Sequence, residues 1–143
     1  KYFFEKINRR FESIKNMQFG IWGLSFKPGT DDMRESASIY IIQKLAKLGA
    51  LVKVYDPKAM DNAKKNYFSS IENIEYCNDK YDVLNQSEAL ILLTEWPEFR
   101  SPDFKLLKDK LNKPIVFDGR NQFDAHMMQE LGFEYYQIGK SKI

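Results

Sequence analysis

The sequence predicts an α/β domain of three layers, with a mostly parallel sheet and helices on both faces. Short apolar runs at residues 18–24, 50–55, 89–93 and 114–117 alternate with segments whose apolar residues recur at helical spacing, the order expected of strand–helix–strand units. Each run stops at a polar cluster carrying Gly or Pro, such as Asp56-Pro57 or Asp118-Gly119-Arg120. Ala89-Leu90-Ile91-Leu92-Leu93 is apolar without interruption, which suits a strand covered on both faces.

In chain order, Phe3, Phe4, Ile7, Phe11 and Ile14 fall at helical spacing among charged residues, so residues 2–15 read as an amphipathic helix with an aromatic face. That face is expected to meet another domain, and Arg9-Arg10 reads as a solvated flank rather than a nucleic-acid contact. The run at 18–24 is bounded by Gly20 and Gly23, as in a buried strand that allows close backbone approach. It opens into a loop carrying Lys27, Asp31, Asp32, Arg34 and Glu35 around a Pro28-Gly29 turn signal. Ser36 or Ser38 then caps a helix over 38–48, with Ile39, Ile42, Leu45, Ala46 and Leu48 on one face and Gly49 as its stop. A strand at 50–55 follows and ends in Asp56-Pro57. Residues 58–88 read as a helix over 58–67, a short strand within 71–76 and a helix over 79–86. After the central run, Ser101-Pro102 starts a helix through Leu111 whose buried stripe is Phe104, Leu107 and Leu111. Residues 114–117 make a strand, 124–131 a short helix stopped by Gly132, and 133–139 a terminal strand.

Composition narrows the classes. A chain of 143 residues with 43% hydrophobic content suits one core. A net charge of +2, spread along the chain, argues against nucleic acid or a membrane surface as partner. No apolar run approaches a membrane span, and the opening Lys1-Tyr2-Phe3-Phe4-Glu5 lacks a signal peptide's apolar region, so a soluble, cytoplasmic protein is expected. The single cysteine, Cys77, rules out an internal disulfide, and the single histidine, His126, leaves no soft-metal cluster, so no metal is expected. Cys77 has no neighbouring histidine or cationic loop to lower its pKa and reads as a structural thiol. His126, near the start of a short helix, reads as a surface residue. Lacking an initiator Met and opening inside a helix, the chain reads as a fragment of something longer.

In a parallel sheet, ligands bind in the crevice beyond the carboxyl ends of the strands, and a cation beside a helix start there favours an anion. The reading places Lys27 and Arg34 after the first strand, Asp56 after the second, Thr94 and Glu95 after a central one, and Arg120 and Asn121 after another, all on one edge. Two or three cations at that edge suit a phosphate-bearing ligand, with Phe26 able to cover a base or sugar face. The plainer alternatives are a solvated loop that pairs its charges internally, Arg120 paired with Asp118, and Trp96 and Phe99 packing a loop onto the sheet. Asp56 holds the place of the ribose-binding acid of NAD-binding folds. Without Gly-x-Gly-x-x-Gly in the first turn it reads instead as a turn starter.

Gly-Leu-Ser-Phe-Lys-Pro-Gly-Thr-Asp-Asp-Met-Arg-Glu-Ser at 23–36, Thr-Glu-Trp-x-x-Phe at 94–99 and Phe-Asp-Gly-Arg-Asn at 117–121 resemble three ordered motifs of the UDP-glucose/GDP-mannose dehydrogenase family. The resemblance covers nearly the whole chain. It implies a Rossmann-like, C-terminal UDP-binding domain over 17–143, with residues 1–16 as the tail of a central connecting helix. Phe26, Lys27 and Arg120 would bind the UDP-sugar substrate. Arg34 would reach NAD, which the protein's own N-terminal NAD-binding domain would mainly hold. The family oxidises a sugar's primary alcohol to a carboxylate with two NAD, here giving UDP-glucuronate for polysaccharide biosynthesis. None of its catalytic residues is present, so the fragment alone is expected to be inactive, and the full-length protein is expected to be a homodimer. The Thr-Glu-Trp motif favours UDP-glucose. UDP-N-acetylmannosamine or GDP-mannose of the same family are alternatives, as is a non-catalytic nucleotide-binding or dimerisation module. The departure from the pattern is Pro28-Gly29, in a loop that varies across the family.

Overall fold

In the computed structural model, which describes residues 2–139, the apolar runs become the strands β1 (Gln18–Trp22), β2 (Leu51–Tyr55), β3 (Ile74–Tyr76), β4 (Ala89–Leu92), β5 (Ile115–Asp118) and β6 (Glu134–Gln137). Lys1 and residues 140–143, which the reading gave to the helix tail and to the end of the C-terminal domain, lie outside the described residues. Among the described residues the strands form one sheet in the order β3-β2-β1-β4-β5-β6, every neighbouring pair parallel. The chain winds outward from β1 to β3, returns to β4 on the other side of β1, and winds outward again. The strand order therefore reverses between β1 and β4, where a ligand crevice opens in such sheets.

Alternation along each strand divides the core into two layers. Phe19, Ile21, Val52, Val54, Ile91, Ile115 and Phe117 pack with α1 (Tyr2–Arg10) and α2 (Ala37–Lys47) on one face. Trp22, Leu90, Leu92, Val116 and Tyr135 pack on the other with Leu107 of α4 (Phe104–Lys110) and Met128 of α5 (Ala125–Glu130). Gly20 lies under the 3₁₀ turn Asp82–Leu84, where an added Cβ would come within 2.6 Å of the Val83 carbonyl oxygen.

Several elements differ from their expected extent, each for a local reason. The first helix ends at Arg10 rather than at residue 15, because the chain must turn into β1. Asn16 adopts a left-handed φ of 66° and its N–H donates to the Gly49 carbonyl. Phe11 and Ile14 stay buried beyond the helix end. The aromatic face does not point at another domain. Phe3 meets Phe117 edge-on at 6.5 Å, Phe11 meets Phe19 at 5.6 Å, and Phe117 stacks on Tyr136 at 4.7 Å, so the domain's own sheet satisfies it. The helix expected over 58–67 is a single turn, α3 (Met60–Asn62), continued as a π-helical turn over Ala63–Tyr67. The helix expected over 79–86 is only the 3₁₀ turn already named. Helix α4 starts later than Ser101-Pro102, because the Asp103 carboxylate accepts from Leu106 N and is the better cap.

Phe117, fully buried, joins α1, β5 and β6 in one ring cluster. Phe117→Ala is expected to lower the free energy of unfolding by about 3–5 kcal/mol, measured by urea titration, and to raise amide exchange in α1.

Candidate functional site

Loop 23–36 leaves β1 through Gly23, whose φ is +102° and where a Cβ would sit 2.5 Å from Thr94 N. Beyond it the backbone is tied down at two residues. Leu24 N and Ser25 N donate to Asp56 Oδ2 at 2.7 and 3.0 Å, and the Leu24 carbonyl accepts from the hydroxyls of Ser36 and Ser38. Ser36 also caps α2 by accepting from Ser38 N, so one serine closes the loop and starts the helix. From the β4 side, Thr94 Oγ1 donates to the Ser25 carbonyl at 2.7 Å, and Trp96 Nε1 donates to Asp56 Oδ2 at 3.1 Å. The two residues that follow, Phe26 and Lys27, project from this anchored base. Phe26 is 48% exposed, and Lys27 is exposed, its carbonyl accepting from the Ser25 hydroxyl and its ammonium making no hydrogen bond or ion pair among the described residues.

Asp56 is 1% exposed and accepts five hydrogen bonds, the remaining two from Lys58 N and Ala59 N to Oδ1. It is an internal acceptor for three loops, in line with the turn-starter reading and more extensive than it. Asp118 repeats the device at the end of β5. It accepts from Arg120 N at 3.0 Å, from Gln122 N and Phe123 N, and from the Tyr135 hydroxyl at 2.6 Å. Burial, with Asp118 adjacent, pushes the Tyr135 phenol well above its ordinary pKa.

Arg120 does not pair with Asp118 through its side chain. Its guanidinium holds Glu95 in a fork, Nε to Oε1 at 2.9 Å and Nη2 to Oε2 at 3.2 Å. It lines a cleft of about 210 Å³ with Tyr2, Tyr40, Leu93 and Gly119. Phe26, Lys27 and Arg34 are not among that cleft's walls. Arg34 folds back on Asp32, pulling that carboxyl's pKa down to about 2, first through the side-chain hydrogen bond. The structure thus joins the loops of Lys27, Thr94–Glu95 and Arg120 at one edge, and leaves Arg34 as an exposed loop residue.

The groups the reading set aside have ordinary explanations. Cys77 is buried, and desolvation followed by the nearby Glu75 raises its thiol to about 11. His126 is exposed and pairs with Glu130 one turn on. Among the described residues no three or more His, Cys, Asp or Glu gather to hold a metal, and no helix is long and apolar enough to cross a membrane. The acidic residue that would meet a ribose, Asp56, is sealed and saturated with donors, so the crevice of this chain's own β1–β2 unit does not fit NAD. Sequence reasoning missed the roles of Ser25, Ser36, Ser38 and Trp96 as loop fasteners. The available signal was an Asp at a strand end directly followed by Pro or Gly, at both 56 and 118.

The sequence profile of the UDP-glucose/GDP-mannose dehydrogenase family, UDP binding domain, matches residues 20–125. UDP-glucose 6-dehydrogenase of Rhizobium meliloti is 39% identical over 127 residues, 89% of this chain and 28% of that protein. UDP-glucose 6-dehydrogenase TuaD of Bacillus subtilis is 38% identical over 133 residues, 92% of this chain and 28% of that one. The solved UDP-glucose dehydrogenase of the archaeon Pyrobaculum islandicum superposes with a TM-score of 0.73 at 32% identity, over 87% of this chain and 27% of that one. The chain therefore spans under a third of the length of the curated relatives it matches.

Two outcomes test the loop geometry. Asp56→Ala orphans backbone N–H groups of two segments and the Trp96 indole and is expected to cost about 3 kcal/mol or more of stability, whereas Arg34→Ala, on the surface, stays within about 0.5 kcal/mol; urea unfolding compares them. Cys77 titrates near 9 when unfolded and near 11 when folded. As pH rises through that window the unfolded chain gives up a proton that the folded chain keeps, so a contribution fully present below pH 9 is lost by about pH 11. Unfolding free energy should fall over this range, and less steeply in Cys77→Ala.

Proposed function

The chain belongs to the UDP-glucose/GDP-mannose dehydrogenase family, and from that premise we propose that it is the C-terminal, nucleotide-sugar-binding part of an NAD-dependent UDP-glucose dehydrogenase, which converts UDP-glucose and two NAD to UDP-glucuronate. The observation that carries this reading is the meeting of loops 23–36, 94–99 and 117–121 at one sheet edge, fastened by Thr94 to Ser25 and by Glu95 to Arg120. The names of relatives up to 39% identical support glucose as the sugar. In this reading Lys27 supplies a positive charge with no ion-pair partner among the described residues for the diphosphate, Arg120 supplies directed donors, and Phe26 covers the base or sugar. These residues act on rate by holding the sugar's reacting carbon in place, while the residues that perform the oxidation belong to the rest of the protein.

NAD is held mainly by the protein's own N-terminal domain, in keeping with the sealed Asp56, and Arg34 reaches it from the side. Helix α1 (Tyr2–Arg10) is the tail of a central helix that joins the two domains, and the full-length protein is a homodimer. It works in the cytoplasm, where nucleotide sugars and NAD are available, and supplies polysaccharide biosynthesis.

Steady-state kinetics of the full-length protein separates the roles. Lys27→Ala should raise KM for UDP-glucose about 10–100-fold, the worth of one charge-assisted contact, and leave KM for NAD unchanged. Arg34→Ala should do the reverse. A UDP-glucose KM unmoved by Lys27→Ala would remove the proposed diphosphate contact, and preferential turnover of GDP-mannose would overturn the choice of sugar.

A further inference from the structure

We infer that Glu95 is a positioning residue for Arg120, presetting its guanidinium for the nucleotide-sugar; this rests on the reading above, in which Arg120 touches that substrate. Arg120 is rooted at its backbone, where its N–H donates to Asp118 Oδ1 at 3.0 Å and the next residue, Asn121, exchanges two hydrogen bonds with Ile138. Its head is on a long, flexible stem and its side chain is 42% exposed, so the backbone alone does not fix it. Glu95 fixes it through the bidentate fork at 2.9 and 3.2 Å.

Glu95 can do so because it is itself held. It follows Thr94, which is buried and bonded to the Ser25 carbonyl across the β1–β4 divide. It precedes Trp96, whose indole is bonded to Asp56. With its backbone anchored on both sides, Glu95 has only its short side chain to order when its carboxylate meets Arg120. The fork uses two of the five guanidinium donors, and the other three make no hydrogen bond among the described residues, on a side chain that lines the cleft beside Leu93 and Gly119. Glu95 therefore leaves Arg120 with directed donors and little net charge. Lys27, with no such partner, keeps the charge. The pair also couples the second motif loop to the third, as Thr94 couples the second to the first. Holding the guanidinium before the ligand arrives reduces the ordering that binding must impose.

The test is a double-mutant cycle in the full-length protein, with UDP as the calorimetric probe and UDP-glucose for KM and kcat. Arg120→Ala should weaken UDP binding about tenfold or more, by loss of charge-assisted hydrogen bonds. Glu95→Ala should weaken it about fivefold with Tm near wild type, since a solvent-exposed pair adds little stability. The double variant should be no weaker than Arg120→Ala alone, and Glu95→Gln should recover part of the loss. In the wild-type protein the Arg120 Nε–H resonance should be resolved and slow to exchange, and in Glu95→Ala it should be averaged with solvent. Unchanged UDP affinity in Glu95→Ala, losses that add in the double variant, or a Tm drop that accounts for the loss would each overturn the positioning role. If Arg120→Ala itself binds UDP like wild type, the substrate contact assigned to Arg120 fails instead.

Discussion

One buried carboxylate carries the architecture of the site edge. Asp56 lies at the end of β2, yet its hydrogen bonds reach the first two residues after Gly23, the indole of Trp96 beyond β4, and the turn that follows it. A carboxylate taken out of water is costly unless its oxygens are met by donors, and here five donors meet them. The same contacts satisfy backbone N–H groups that a loop leaving a strand would otherwise bury unpaired. Because the partners come from three segments, removing the carboxylate disturbs all three at once. Asp118 repeats the arrangement on the other side of the crevice, with three backbone N–H groups and the Tyr135 hydroxyl.

Anchoring behind leaves side chains in front. Leu24 and Ser25 are immobilised from below by Asp56 and from the side by Ser36, Ser38 and Thr94, so the chain emerges at Phe26 and Lys27 from a base with little freedom. Arg120 emerges in the same way one residue after Gly119, and Glu95 then holds its head. A site assembled like this places charge by backbone geometry, and the exposed residues need not be held by packing of their own. Arg34 shows the contrast. Among the described residues its hydrogen-bond partner is Asp32, two residues away in the same loop, and no residue of another loop holds its side chain.

Much of this was legible in the residues. The alternation of apolar runs with helical spacing gave the sheet, its parallel sense and its two helical layers, because strands such as Ala89–Leu92 must be covered on both sides. The polar clusters at strand ends located the edge that carries Lys27, Glu95 and Arg120. Less legible were features that depend on three-dimensional competition. Ser101-Pro102 looks like a helix start, but Asp103 is a better acceptor for the first free N–H. The aromatic stripe of α1 looked like an interface because periodicity reports that a face is buried without reporting against what. Residues 58–88 mix π, 3₁₀ and α turns whose apolar spacing matches no single period, so neither helix expected there has its expected length.

The position of Asp56 also explains how a dinucleotide-binding topology can serve without binding a dinucleotide in its own crevice. In that topology an acidic residue at the end of the second strand faces a ribose, and a glycine-rich turn lets pyrophosphate approach the first helix. Here the turn is replaced by loop 23–36, and its first residues occupy the carboxylate that a ribose would use. The two roles exclude each other, because an oxygen accepting Leu24 N, Ser25 N and the Trp96 indole has no lone pair left to offer a sugar hydroxyl. The edge instead presents Lys27 and Arg120 from loops after β1 and β5, on either side of β4. The floor of the crevice, closed by Asp56 and its donors, holds the rims that carry Lys27 and Arg120 in register.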